Sequence, residues 1–131
     1  MESQIEETVR RVLSSGHQEI AAAYLFGSHA RNEARANSDV DVAILFTVEP
    51  KSTLDGPATR IAAELERELS RSADVVVLNR APADLVHRVM RDGVLVCEND
   101  PSLRIRFEVA KRNEYFDLLP ILQRYRRTQA A

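Results

Sequence analysis

Ala21-Ala22-Ala23-Tyr24-Leu25-Phe26-Gly27-Ser28 and, ten residues later, Asp39-Val40-Asp41-Val42-Ala43-Ile44-Leu45-Phe46 decide how this chain folds. Each holds a short apolar run next to turn-forming residues, the pattern of a buried strand. The first run, from Ile20 to Phe26, stops at a glycine. The second, from Val40, carries two aspartates at its start and ends before Pro50. Only about a dozen residues connect the two runs, too few for a full crossover helix, so the spacing predicts a mixed sheet rather than a purely parallel one.

Working outward, Ile5, Val9, Val12 and Leu13 recur at a helical period and Gly16 stops them, which predicts a helix over 3–15. Ser28 to Glu33 reads as a helical turn, and Asn37-Ser38 as a turn or cap. Asp55-Gly56-Pro57 marks a helix start with proline in the first turn. Ile61, Ala62, Leu65 and Leu69 carry that helix to about Arg71. Asp74-Val75-Val76-Val77-Leu78 predicts a third strand, uniformly apolar and therefore expected in the middle of the sheet. Ala81-Pro82 opens another helix, with Leu85, Val86, Val89 and Met90 inward and Gly93 as its stop. Val94 to Cys97 is a fourth strand. Asp100-Pro101 caps a long last helix bearing Phe107, Ala110, Leu118, Ile121, Leu122 and Tyr125, with a kink or break expected beside Pro120. The alternation gives an α/β fold: a short mixed sheet of about four strands flanked by helices, ending in a long C-terminal helix.

Composition narrows the function classes. The 131 residues suit one domain with a core of its own, spanning 1–131. A net charge of −2 gives the whole chain no electrostatic case for binding nucleic acid directly. No apolar run reaches membrane-spanning length, and the acidic start, Met1-Glu2-Ser3-Gln4-Ile5-Glu6-Glu7, lacks the pattern of a secretory signal. The single cysteine, Cys97, permits no internal disulfide and reads as a small apolar strand residue, so a cytoplasmic setting is expected. From Arg104 to Arg127 seven Arg and Lys stand against three acids. That run is either a solvated helix face or a docking surface for an acidic partner or for nucleotide phosphates.

The chemistry lies where the two opening segments meet. Alternation along a strand puts Asp39 and Asp41 on one face. Two neighbouring carboxylates repel unless a cation stands between them, and magnesium takes oxygen ligands while keeping positions for waters and phosphates. Gly27 allows a tight turn and the close approach of a phosphate, Ser28 adds a hydroxyl, and Arg31 can neutralise phosphate charge, with Arg35 a weaker candidate. Asp74, which opens the third strand as Asp39 opens the second, is the best third carboxylate for a two-metal site. Glu49, Asp55 and Asp84 fall in turns or helix starts, where capping accounts for them. Gly-Ser alone is commonly a turn, and a pair of spaced aspartates alone a strand edge. Their combination, leading into a run that should be buried, points to a magnesium-phosphate site. No histidine pair has metal-ligand spacing, and no P-loop or dinucleotide fingerprint is present.

In Gly27-Ser28, ten residues and Asp39-Val40-Asp41, the chain resembles the DNA polymerase β-like nucleotidyltransferase superfamily, and in its small size the minimal nucleotidyltransferases (MNT) that pair with HEPN toxins. The resemblance covers most of the chain, from the first helix to the Val94 strand. It implies that Asp39, Asp41 and Asp74 are the catalytic, metal-binding triad and that Gly27 and Ser28 hold the β- and γ-phosphates of ATP. It also implies an antitoxin enzyme that transfers AMP to a tyrosine of a HEPN ribonuclease partner and releases pyrophosphate. The alternatives are transfer to a small aminoglycoside-like acceptor and silencing of the partner by binding alone.

Overall fold

The computed structural model describes residues 2–27, 30, 38–51 and 56–130. Ser28, His29, Arg31, Arg35, Asn37 and Asp55, with the turn expected over 28–33, lie outside the described residues. The elements follow in the order α1 (Glu2–Leu13), β1 (Ile20–Phe26), β2 (Val40–Phe46), α2 (Pro57–Leu69), β3 (Ala73–Val77), α3 (Ala83–Asp92), β4 (Val94–Glu98) and α4 (Pro101–Ala130). One turn of 3-10 helix, Leu78–Arg80, joins β3 towards α3.

The sheet is mixed, in the order β3-β2-β1-β4. β1 runs antiparallel to both β2 and β4, and β2 runs parallel to β3. The expectation of a central third strand fails, because β3 lies at the edge. Its valines are apolar because both faces of the sheet are covered there: Val75 packs into the core shared with α1 and α2, and Val76 into the core shared with α3 and α4. Cover on two faces, not a neighbour on each side, selects such a run.

The first core gathers Val9, Val12 and Leu13 of α1 and Ile61 and Leu65 of α2 against Leu25, Val40, Val42, Ile44 and Phe46 of the sheet. The second joins Tyr24, Ala43 and Leu45 of the sheet to Val86 and Val89 of α3, with Leu103 and Phe107 of α4 packed against it. Asn79 closes the far end of β2 by donating to the Phe46 carbonyl and accepting from the Phe46 amide, each at 2.9 Å. Pro57 begins α2 as its pattern predicts, and Gly93 follows α3. Cys97 is buried. Its thiol faces the Leu13 carbonyl at 3.7 Å, and burial holds its pKa above the ordinary value, so it behaves as a small apolar strand residue.

Asp100 caps α4 by accepting from the Leu103 amide at 3.0 Å. α4 then continues through Pro120 as one helix, so the expected break is absent. A proline there leaves the Phe116 carbonyl without its helical donor, and Phe116 is exposed, where water can serve instead. Among the described residues no helix is long and apolar enough to cross a membrane.

One polar network fastens α4 to the sheet. The Tyr24 hydroxyl donates to Glu108 at 2.7 Å, and Arg104 donates to Glu108 at 2.6 Å and also to Glu98. Burial and the Glu108 carboxylate hold the Tyr24 pKa well above the usual tyrosine range. A group held protonated in the fold contributes its full stability below its unfolded pKa, near 10.0, and loses it as pH rises further. Urea titrations are therefore expected to show stability falling above pH 10, less steeply in Tyr24→Phe. At neutral pH that substitution is expected to cost about 1–2 kcal/mol, because Glu108 loses a donor.

Candidate functional site

Two registers build the site. Across the antiparallel pair, Phe26 lies opposite Asp41. Across the parallel pair, Asp41 lies opposite Asp74. Paired residues share a face, so Phe26, Asp41 and Asp74 stand on the side of the sheet that also carries Tyr24, Ala43 and Leu45. Asp39, two residues before Asp41, belongs to the same rim. Asp39 and Asp74 are exposed and Asp41 is half-buried.

Backbone hydrogen bonds hold this rim in place. The Val40 amide donates to the Ser72 carbonyl at 2.9 Å, continuing the parallel ladder between Asp39 and the residues before Asp74. The Ala73 amide donates to the Glu66 side chain at 3.1 Å, and the Ser70 amide to the Glu66 backbone carbonyl at 2.9 Å. Glu66 thus ties the end of α2 to the start of β3 and sets where Asp74 emerges. Sequence reading missed it, because an acid inside an amphipathic helix carries no signal for the strand that follows.

Gly27 has φ of +76°, the left-handed region that disfavours side chains. A second constraint acts on the same residue: a β-carbon placed there would overlap Oδ2 of Asp41. The bare backbone at the end of β1 is what lets the Asp41 carboxylate lie against the turn.

The structure therefore brings Gly27, Asp41 and Asp74 to one end of the sheet, with Asp39 beside them. Ser28 and Arg31 lie outside the described residues. The carboxylate oxygens of Asp41 and Asp74, on adjoining strands and beside a cradle that a β-carbon would fill, are the donor chemistry of a hard divalent cation and the phosphates it carries. Among the described residues, no group of three or more His, Cys, Asp or Glu side chains is drawn together closely enough to hold a metal ion.

Residues 7–102 match the family model described as "Polymerase beta, Nucleotidyltransferase". A protein of Methanocaldococcus jannaschii named "Putative protein adenylyltransferase" is 37% identical over 76 residues, covering 58% of this chain and 73% of its own. The "Protein adenylyltransferase MntA" of Shewanella oneidensis is 30% identical over 89 residues, covering 67% of this chain and 61% of that protein's length. In three dimensions the chain is similar to a chain of a toxin–antitoxin crystal structure with AMP-PNP, with a TM-score of 0.80 at 23% identity over 96% of this chain and 98% of that one. It is also similar to a chain of the tri-AMPylated Shewanella oneidensis HEPN toxin in complex with MNT antitoxin, with a TM-score of 0.76 at 21% identity over the whole of both. At these identities the structural likenesses establish the fold.

If Asp41 is the reason Gly27 must lack a side chain, the two positions are coupled. Gly27→Ala is expected to cost about 1–3 kcal/mol in denaturant unfolding, from the positive φ and the overlap together. Combined with Asp41→Ala, it should cost less than the two single losses added, since the overlap is then gone. Strict additivity in that double-mutant cycle would show that the backbone angle alone demands glycine.

Proposed function

The chain belongs to the polymerase beta nucleotidyltransferase family and is a nucleotidyltransferase, and from that premise we propose that it is a magnesium-dependent protein adenylyltransferase, an antitoxin that moves AMP from ATP to a tyrosine of a HEPN toxin. In this reaction the tyrosine oxygen bonds to the α-phosphorus of ATP. The bond from that phosphorus to the bridging oxygen of the β-phosphate breaks, pyrophosphate leaves, and the hydroxyl proton passes to solvent.

Asp39, Asp41 and Asp74 would hold the metal, in a two-metal site. Bound magnesium supplies positive charge at the phosphate oxygens, where negative charge grows during transfer. Gly27, with Ser28 and Arg31, would receive the β- and γ-phosphates; at Gly27 the backbone comes bare to the rim, which suits the close approach of an anion. We read residues 1–131 as one minimal nucleotidyltransferase domain working in the cytoplasm.

The observation that carries this reading is the double register, Phe26 opposite Asp41 and Asp41 opposite Asp74, which brings acids of two strands and the glycine of a third to one rim. Support for the acceptor class comes from relatives named as protein adenylyltransferases, from the AMP-PNP complex, and from the AMPylated HEPN toxin bound to its MNT antitoxin.

Incubated with ATP, Mg²⁺ and a cognate HEPN protein, the chain is expected to add AMP to the partner, read by intact-mass spectrometry and mapped to tyrosine by peptide sequencing. EDTA should stop the transfer. Asp39→Ala with Asp41→Ala should lower its rate at least a thousandfold, about 4 kcal/mol of transition-state stabilisation. Transfer that persists in the double variant overturns the assignment of the acids.

A further inference from the structure

The apolar stripe that seats α4 on the domain does not stop where the domain stops. Leu103 and Phe107 pack against the second core. At about 100° per residue, Leu118, Ile121, Leu122 and Tyr125 all fall within roughly 60° of Phe107 around the helix axis. They continue the buried stripe in register, yet Leu118 is 36% exposed, Ile121 59% and Tyr125 63%. Among the described residues, the last ring or polar side-chain contact from α4 to the domain is the stack of Tyr115 on His87 of α3, with ring centroids 3.8 Å apart and planes 2° from parallel. Beyond it α4 runs on to Ala130 with Leu118, Ile121 and Tyr125 exposed and Leu122 half-buried.

Charge says what kind of surface would cover it. On the same helical count Arg124 and Arg126 flank the stripe, one at about 100° on either side. Arg124, Arg126 and Arg127 have no ion pair among the described residues. Nearer the domain Arg104 is paired with Glu98 and Glu108 and Lys111 with Glu114, while Arg106 and Arg112 have no ion pair among the described residues. After Tyr115 the one acid is Asp117. A second copy laid parallel on the same stripe would set these arginines against their own counterparts, which like charge opposes.

We propose that the half of α4 beyond Tyr115 is a docking surface for an amphipathic helix of a protein partner, one whose apolar face is edged with Asp or Glu. This is helix-to-helix recognition through spaced apolar anchors, with charge at the rim setting partner choice. It deepens the function proposed above and rests on it in one respect, that the acceptor hydroxyl is carried by another protein.

Two experiments on the full-length chain separate the docking surface from the chemistry. The first uses a synthetic amphipathic helix with a leucine stripe edged by glutamate, beside the same peptide edged by lysine. The glutamate peptide is expected to bind at least tenfold more tightly, weaken as salt rises, and slow amide exchange over residues 116–127. Arg124→Glu with Arg126→Glu should reverse the preference. Equal binding of both peptides, or protection elsewhere in the chain, overturns the proposal.

The second uses a cognate HEPN protein. Ile121→Asp with Tyr125→Asp, both at exposed positions, should lower its affinity at least a hundredfold while slow hydrolysis of ATP by water to AMP and pyrophosphate, measured without partner, stays at the wild-type rate. Wild-type affinity in that variant overturns the docking surface and leaves the adenylyltransferase reading intact. Tight binding without AMP transfer by the wild-type chain does the reverse. A wild-type dimer that the variant makes monomeric, with partner affinity unchanged, assigns the stripe to a second copy and also overturns the proposal.

Discussion

Strand register governs everything at the rim of this sheet. Shifting β2 by one residue against β1 would turn Asp41 to the opposite face, towards α1 and α2. It would also turn Val40, Val42, Ile44 and Phe46 out of the first core, where they are 0–1% exposed. Burying side chains of this size stabilises a fold by about 1.5–3 kcal/mol each, so the slip is prohibitive. The acids are thus held by residues that never touch them. The hydrophobic face of β2 is the clamp, and the polar rim is what it positions.

Depth along β2 decides where acids are affordable. Asp39 is exposed and Asp41 half-buried, whereas Ala43, the next residue on the same face, is fully buried. A carboxylate at Ala43 would have to give up its hydration without a compensating partner. At the strand's start the backbone is already fixed by the ladder, with Val40 bonded to Ser72, while the side chains still reach water and whatever water carries. A site assembled there combines the rigidity of a sheet with access for a charged ligand.

Much of this could be read from the chain before its structure was known. The bounds of β1, the start of α2 at Pro57 and the stop of α3 at Gly93 follow from local pattern, and so does the placing of Asp41 on the face opposite Val40 and Val42. What local pattern cannot carry is lateral order. Three consecutive valines report that both faces of β3 are covered, and helices supply that cover at an edge as well as at the centre. Nor could it carry pairings between distant positions. The bond from Tyr24 to Glu108 spans 84 residues, and the opposition of Asp41 to Asp74 depends on which strands are neighbours. Gly27 was legible as a turn, but its second reason for being glycine, the carboxylate of Asp41, exists only once β1 and β2 are paired.

The placement of α4 gives these pieces a common geometry. The helix is fastened at Glu108 to Tyr24, three residues before Gly27 on the strand that ends at the site, and through Arg104 to Glu98 on β4. One continuous helix therefore joins the sheet to an uncovered apolar stripe. A continuous helix fixed at one end limits where anything bound at its other end can be. For a reaction whose acceptor arrives on a second protein, most of the cost of bringing the groups together is translational and orientational. A partner held on the far half of α4 would meet that cost there, at a surface separate from the acids themselves. The acceptor's position would then be set by the partner's docking as well as by the rim that carries the acids.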